Sequence, residues 1–412
     1  MKTCIKTFSA VAACALISAC ICVYAFADNT KYYLDDRSVF ECEAFSDWIR
    51  QNVDGGRDGR LSEWECLRVG EIDISGETQI KSVKGIEVFS NLFSLDVSGS
   101  GISYIDVSRL TRLAFLNVEN TNIKELDLTH SVMMYDLNAD DTEISEIDTS
   151  PCNELHSLSV KRTGIRSLDL RKNTDLFYVS GRESRIESIS LASARLSVID
   201  LAYTDLSELD ISGCSSLVHL DLSGSRLERI DLSWCTSLEY IDLSGTNVTE
   251  TDTSRLEELR HLDLSHTKTV GINTEKNKKL SYLNISDTDI DSVDLSENKS
   301  LDTLTAANTK IKEIDLSQCK NIAFLLLPTE AYALGSPEKA SDLFGEAKAS
   351  SEEKSLPTHP VETEDEIKEK EIKPKNSGVL PPIRTDLCVL HKNTSLCEGY
   401  FLKKLSRNLL KK

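Results

Sequence analysis

Residues 217–237 read 217-LVHLDLSGSRLERIDLSWCTS-237. Leu217, Leu220, Leu222, Leu227 and Ile230 stand at positions 1, 4, 6, 11 and 14 of this 21-residue unit, with polar or small residues filling most gaps. Alternation at positions 4 and 6 is the signature of a short strand with one buried side. Outward from this unit the leading apolar residue recurs every 21 residues. It runs forward through Leu238, Leu259, Leu280, Leu301 and Ile322, and back through Leu196 and then, across one 20-residue unit, Leu176, Leu155, Met134, Leu113 and Leu92. A single unit cannot bury its apolar side alone, so neighbours must stack into a continuous core. The predicted fold is a repeat solenoid with a parallel β-sheet on its concave face. About ten residues remain for the far side of each unit, too few for a helix of ordinary length. That convex side is therefore expected to be extended or turn-like, with I-D-L-S segments such as 230–233 forming a second, weaker ladder.

The first half of the unit resembles the leucine-rich repeat template L-x-x-L-x-L-x-x-N-x-L. Ser or Thr replaces the Asn at position 9, as at Thr204, Ser225, Thr246, Thr267 and Thr288. The repeats are expected over residues 69–334. Ahead of them lies 54-DGGRDGRLSEWE-65, which has the spacing of an EF-hand calcium loop at most positions. Asp54, Asp58, Ser62 and Glu65 occupy ligand positions, and Arg60 would offer its carbonyl; Gly56 stands where a third side-chain oxygen is usual. Phe40, Phe45, Trp48 and Ile49 suggest a helix entering this loop, and 61–69 a helix leaving it, so residues 38–68 read as a helix-loop-helix cap. The implied cofactor is weakly held calcium, or none if the segment is a plain cap. With Ile80, Val83, Gly85, Ile86, Phe89, Asn91 and Leu92 following it, this arrangement is similar to bacterial secreted or surface leucine-rich repeat proteins of the internalin-like kind. That resemblance implies a non-catalytic binding or adhesion module; the alternative is a structural surface scaffold without a dedicated ligand.

The chain has 412 residues and a formal charge of −20, from 47 basic and 67 acidic side chains. Such an excess of negative charge is repelled by phosphate backbones and argues against nucleic acid as a partner. Residues 1–27 carry lysines, a long apolar run and Ala25-Phe26-Ala27, the pattern of a signal peptide cleaved before Asp28. Ile17-Ser18-Ala19-Cys20 also resembles a lipobox, which would make the protein a lipoprotein through Cys20. Either route exports the chain, to a secreted or cell-surface location. Residues 335–385, rich in Glu, Lys, Pro and Ser, read as a disordered linker. Residues 386–412 read as a basic amphipathic tail, with Phe401, Leu402, Leu405 and Leu409 opposed to Lys403, Lys404, Arg407, Lys411 and Lys412, suited to a membrane or cell-wall surface.

Cysteine usage divides by place. Cys152, Cys214, Cys235 and Cys319 share position 19, where other units have Leu or Asn, and read as packed thiols at a size-limited site. Cys214 and Cys235 stand on adjacent rungs, within bridging reach; Cys42 with Cys66, and Cys388 with Cys397, are further candidate pairs in an oxidising compartment.

No H-E-x-x-H, G-x-S-x-G, phosphate-binding glycine loop or C-x-x-C pair is present, so the expectation is a non-enzyme. The candidate site is a column. Position 3 projects from each strand onto the concave face, and there Tyr178, His219, Tyr240, His261 and Tyr282 fall in register, between Val198 and Thr303 for the last four. An Asp column runs alongside at position 5: Asp200, Asp221, Asp242 and Asp263. Carboxylates one rung apart repel, and the D-x-S spacing suggests that each accepts from nearby N–H or hydroxyl groups. Exposed rings beside carboxylates suit a protein loop or a glycan as ligand.

Overall fold

The computed structural model describes residues 30–335. The signal segment 1–27 with Cys20, the linker beyond Gly335, the tail 386–412 and the Cys388/Cys397 pair lie outside those residues.

Thirteen three-residue strands, from Glu71–Asp73 to Phe324–Leu326, pair in parallel along the array in a single sheet. Each strand covers positions 3 to 5, with the middle residue inward: Leu220, Ile241 and Leu262 are fully buried. Among the described residues no α-helix forms on the convex side; apart from one 3-10 turn of helix at Ile86–Val88 in the first unit it is built of turns, with a second parallel ladder in two places. Ser167–Asp169 pairs with Ser188–Ser190, and Glu313–Asp315 with Tyr332–Leu334.

The inward set is wider than the leucine pattern suggests. Position 16 is buried at Ile211, Leu232, Leu295 and Leu316, while position 14 is buried at Ile105, Leu126, Leu168 and Ile314 and only partly buried at Leu209, Ile230 and Val293. The cause is local. The Asp at position 15 accepts the N–H of position 17, as Asp231 does from Ser233 at 2.9 Å and Asp294 from Ser296 at 2.9 Å. This Asx turn rotates position 16 into the core.

Position 8 is left-handed in every unit from Gly99 to Asn308, whatever its side chain: Arg162 (φ 54°), Glu183 (φ 59°), Tyr203 (φ 56°) and His266 (φ 55°) adopt it along with Gly224 and Gly245. This conformation is costly without glycine, by roughly 1 kcal/mol. It is held because the same N–H donates across the array: Tyr203 to the Ser223 carbonyl at 2.6 Å, His266 to Ser286 at 2.9 Å. Position 9 then closes the turn. Thr246 donates to the Leu243 carbonyl at 2.6 Å and Thr288 to Ile285 at 2.7 Å.

Position 19 is a paired code rather than a size filter alone. Asn277 donates from Nδ2 to the carbonyls of Thr253 (3.0 Å) and Leu256 (2.8 Å), and its Oδ1 accepts from the Thr253 hydroxyl at 3.0 Å. Asn298 does the same with Thr274, and Asn173 with Thr149. Each Asn thus sits over a Thr at position 16 of the preceding unit, while each Cys sits over Leu or Ile. The thiols make the weaker version of the bond: Cys235 to the Ile211 carbonyl and Cys319 to Leu295, both at 3.6 Å.

The position-19 cysteines are packed thiols, and the candidate pairings among the described residues are not formed. Cys42, Cys66, Cys214 and Cys235 are all free. Burial pushes Cys214 up to about 11 and Cys235 up to about 12, which disfavours their thiolates. Cys66 is likewise held at about 11 by burial. Burial opposes the Cys42 thiolate too, but the backbone N–H groups of Lys81, Phe45, Ser82 and Ala44 outweigh it and lower its pKa.

At the N-terminal end, helix Glu43–Asn52 and helix Glu63–Arg68 flank the acidic loop. Leu34, Phe40, Phe45, Ile49 and Leu61 are fully buried in the core that this cap shares with the repeats. Phe40 lies against Gly85, where a Cβ would come within 2.4 Å of its ring and φ is +100°, so glycine is required there. One element goes beyond the expected helix-loop-helix. Strand Thr30–Tyr33 pairs antiparallel with Arg60–Ser62, the second half of the loop.

Candidate functional site

Strand register places position 3 of successive units side by side: Tyr178, Val198, His219, Tyr240, His261, Tyr282, Thr303 and Phe324 in order. Four of the five residues singled out from sequence close into one stack. His219 and Tyr240 rings lie 4.1 Å apart, Tyr240 and His261 4.2 Å, and His261 and Tyr282 4.0 Å, with interplanar angles of 13°, 11° and 6°. Rungs are about 4.8 Å apart, so the rings lean together to reach stacking distance. Tyr178 stands outside the stack, because Val198 separates it from His219.

The Asp column runs beside the rings and is relieved in different ways along its length. Ser223 donates both N–H (3.0 Å) and hydroxyl (2.7 Å) to Asp221, and Ser265 does so to Asp263 at 2.9 and 2.6 Å. Arg182 adds a charge that sequence reading missed. Its Nε is 3.0 Å from Asp200 and its Nη2 bonds Asp221, so one guanidinium bridges two rungs. Its place at position 7, on the same face as the column, was the signal available. Asp263 receives Asn284 Nδ2 at 2.9 Å and the Tyr282 hydroxyl at 3.3 Å. Asp242 takes the Ser244 N–H at 2.9 Å and its pKa is lowered further by the Ser244 hydroxyl, but a carboxylate stands on either side of it. Burial, then the charges of Asp221 and Asp263, push its carboxyl up to about 7. Burial and the neighbouring carboxylates also raise the Tyr240 and Tyr282 phenols far above their usual value, so both stay neutral donors.

A second ring row escaped the sequence reading. Tyr135, His156 and Phe177, all at position 2, lie 4.9 and 6.0 Å apart at 7°. Burial lowers the His156 pKa, favouring its neutral form.

In the cap, Asp54 is nearly fully buried; its Oδ2 accepts the Gly59 N–H at 2.9 Å, while Oδ1 meets no partner. Glu65 collects four donors: Gly55 N–H (2.9 Å) and Gly56 N–H (3.4 Å) on Oε1, Ser62 N–H (2.9 Å) and hydroxyl (2.8 Å) on Oε2. Asp58 accepts the Arg60 N–H at 2.9 Å, and Arg60 lies in the strand paired with Tyr33. Among the described residues, no three His, Cys, Asp or Glu side chains converge as a metal group.

With this geometry in hand, similarity to solved structures identifies the architecture. The chain resembles the functional domain of InlJ from Listeria monocytogenes, which includes a cysteine ladder, at TM-score 0.65 and 21% identity over 74% of this chain and 73% of that one. It resembles the internalin InlF from the same organism at TM-score 0.61 and 18% identity, over 73% of this chain and 96% of that one. A leucine-rich repeat protein of Leptospira interrogans matches at TM-score 0.53 and 14% identity, over 72% and 96%. The fold is a leucine-rich repeat solenoid. No family model matches the sequence, and no curated protein does.

Proposed function

We propose that the leucine-rich repeat solenoid is an exported, non-catalytic binding module that takes a protein ligand on its concave face. The observation that carries this reading is the four-ring stack His219–Tyr240–His261–Tyr282 with carboxylates alongside. Aromatic side chains ordered in advance by stacking lose little freedom when a partner arrives, which is what binding hot spots require. Screening the full chain against displayed fragments of cell-surface proteins should return ligands that lose at least tenfold in affinity when Tyr240 and Tyr282 are both replaced by Ala, with circular dichroism unchanged. Ligands held equally well by the double variant place the site elsewhere.

The cap loop supports a second element of this reading, weak calcium binding. The orphaned, buried Oδ1 of Asp54 is the anchor for it. Asp58, Ser62, the Arg60 carbonyl and Glu65 supply the other oxygens, and Gly56 supplies none. An ion would have to displace the donors now held by Glu65, which keeps affinity at the weak end of the known range.

A further inference from the structure

The position-3 column has a gap of one rung. Beyond Tyr282 comes Thr303 and then Phe324, paired in register. At about 4.8 Å per rung, the strands that carry Tyr282 and Phe324 stand about 9.6 Å apart, more than twice the 4.0–4.2 Å between neighbouring rings of the stack. Aromatic pairs prefer ring centroids about 4.5–7 Å apart, and offset stacks are at the short end. A ring placed over Thr303 lies about 5 Å from each wall, inside the range over which aromatic pairs attract. Thr303 leaves that space because its side chain ends two bonds from the backbone. Phe324 is 50% exposed and Leu326, diagonal to Thr303 on the same face, 44%. The position-5 residues around this rung are uncharged: Asn284, Thr305 and Leu326. Asn284 accepts from the Thr305 hydroxyl at 2.5 Å, and the nearest carboxylate of the column, Asp263, already receives Asn284 and Tyr282. The rung thus offers ring faces and apolar surface, with the exposed Asp302 carboxylate at its edge, and ring faces on both sides pair best with another ring.

We propose that the Thr303 rung is a slot for one aromatic side chain of the protein ligand, held between Tyr282 and Phe324 as the fifth ring of the column. This rests on the concave-face reading above, and the test separates the two. The full chain is titrated with N-acetyl-tryptophanamide while the Thr303 and Leu326 methyl resonances are followed, with N-acetyl-leucinamide and N-acetyl-argininamide as controls. The tryptophan probe should give saturable shifts at both methyls, and the two controls should give none. In Thr303→Phe, which completes the column from within, the Leu326 shift should vanish. Thr303→Val should keep it, and Phe324→Ala should weaken the probe at least fivefold. Equal shifts from the leucine or arginine probe, or undiminished binding to Thr303→Phe, would overturn the slot. Shifts confined to His219 and Tyr240 would remove the slot and leave the concave strip as a binding surface. A strip that loses its ligands in no Tyr240 and Tyr282 variant, while the Thr303 methyl still responds, would do the reverse.

Discussion

Asp242 is buried between the charges of Asp221 and Asp263, so replacing it with Asn should stabilise the protein, and only above mildly acidic pH. A carboxyl moved from its ordinary 3.8 to about 7 disfavours its ionised form in the folded chain. At 1.36 kcal/mol for each tenfold change in proton affinity, the full penalty is about 4 kcal/mol. Partial solvent access at the concave surface reduces this to about 2 kcal/mol. The sign follows from proton uptake. Between about pH 4 and 7 the folded state retains a proton that the unfolded state has released, so stability falls as pH rises through that window and is level above it. Asn at this position keeps the hydrogen bond: Asn117, Asn138 and Asn284 stand at position 5 of other units, and each accepts the N–H two residues on. Thermal melts of wild type and Asp242→Asn from pH 4 to 8 should coincide at pH 4 and diverge to about 4 °C at pH 8, at about 2 °C per kcal/mol for a domain of this size. A difference of the same size at both ends, or a wild type that melts higher at pH 8, would refute the reasoning.

The paired code at positions 16 and 19 predicts coupling. Asn298→Cys should cost about 2 kcal/mol in urea unfolding, Thr274→Leu a similar amount, and the double variant markedly less than their sum, since a buried amide or hydroxyl left alone bears its full desolvation cost; strict additivity would show that the pair is not a unit. For calcium, a ligand at 100 times its Kd adds about 2.7 kcal/mol, so millimolar calcium should raise the cap's melting transition and Glu65→Ala should abolish the rise. A wild-type melt identical in chelator and in calcium would leave the segment a metal-free cap.

The solenoid was legible because its signal is repeated. Leucines at positions 1, 4, 6 and 11 recur in register, so local ambiguity in any one unit is averaged away. The ring column was legible for the same reason, since position 3 of one strand necessarily lies beside position 3 of the next. What escaped were contacts between different positions. Arg182 at position 7 crosses to Asp200 and Asp221, and the Asn at position 19 reaches the Thr at position 16 of the preceding unit; neither forms a column that alignment displays. Position 16 was missed because it varies among Val, Leu, Ile and Thr, and only the Asx turn at position 15 reveals that it points inward. The packed thiols at position 19 were legible because that column takes Cys, Leu or Asn in most units, whereas rung spacing alone gives proximity and not a bond. The strand Thr30–Tyr33 has no partner within its own stretch of sequence; it exists because the loop edge Arg60–Ser62 offers one.

The unit from Leu176 to Arg195 is one residue short. It keeps the convex pairing of Ser188–Ser190 with Ser167–Asp169, so the residue is lost in the turn that follows. There Ser190 replaces the usual Asp and no amide or thiol occupies the next inward site. Instead the Ser193 hydroxyl donates toward the Thr174 carbonyl at 2.9 Å and the Leu176 carbonyl at 2.7 Å. Gly181 meanwhile stands where other units carry a core side chain. In mechanical terms the array is a rod with one slender link. The parallel sheet on the opposite side passes this link unbroken, from Tyr178 through Val198 to His219, so the missing residue narrows one wall of the array and leaves the other intact.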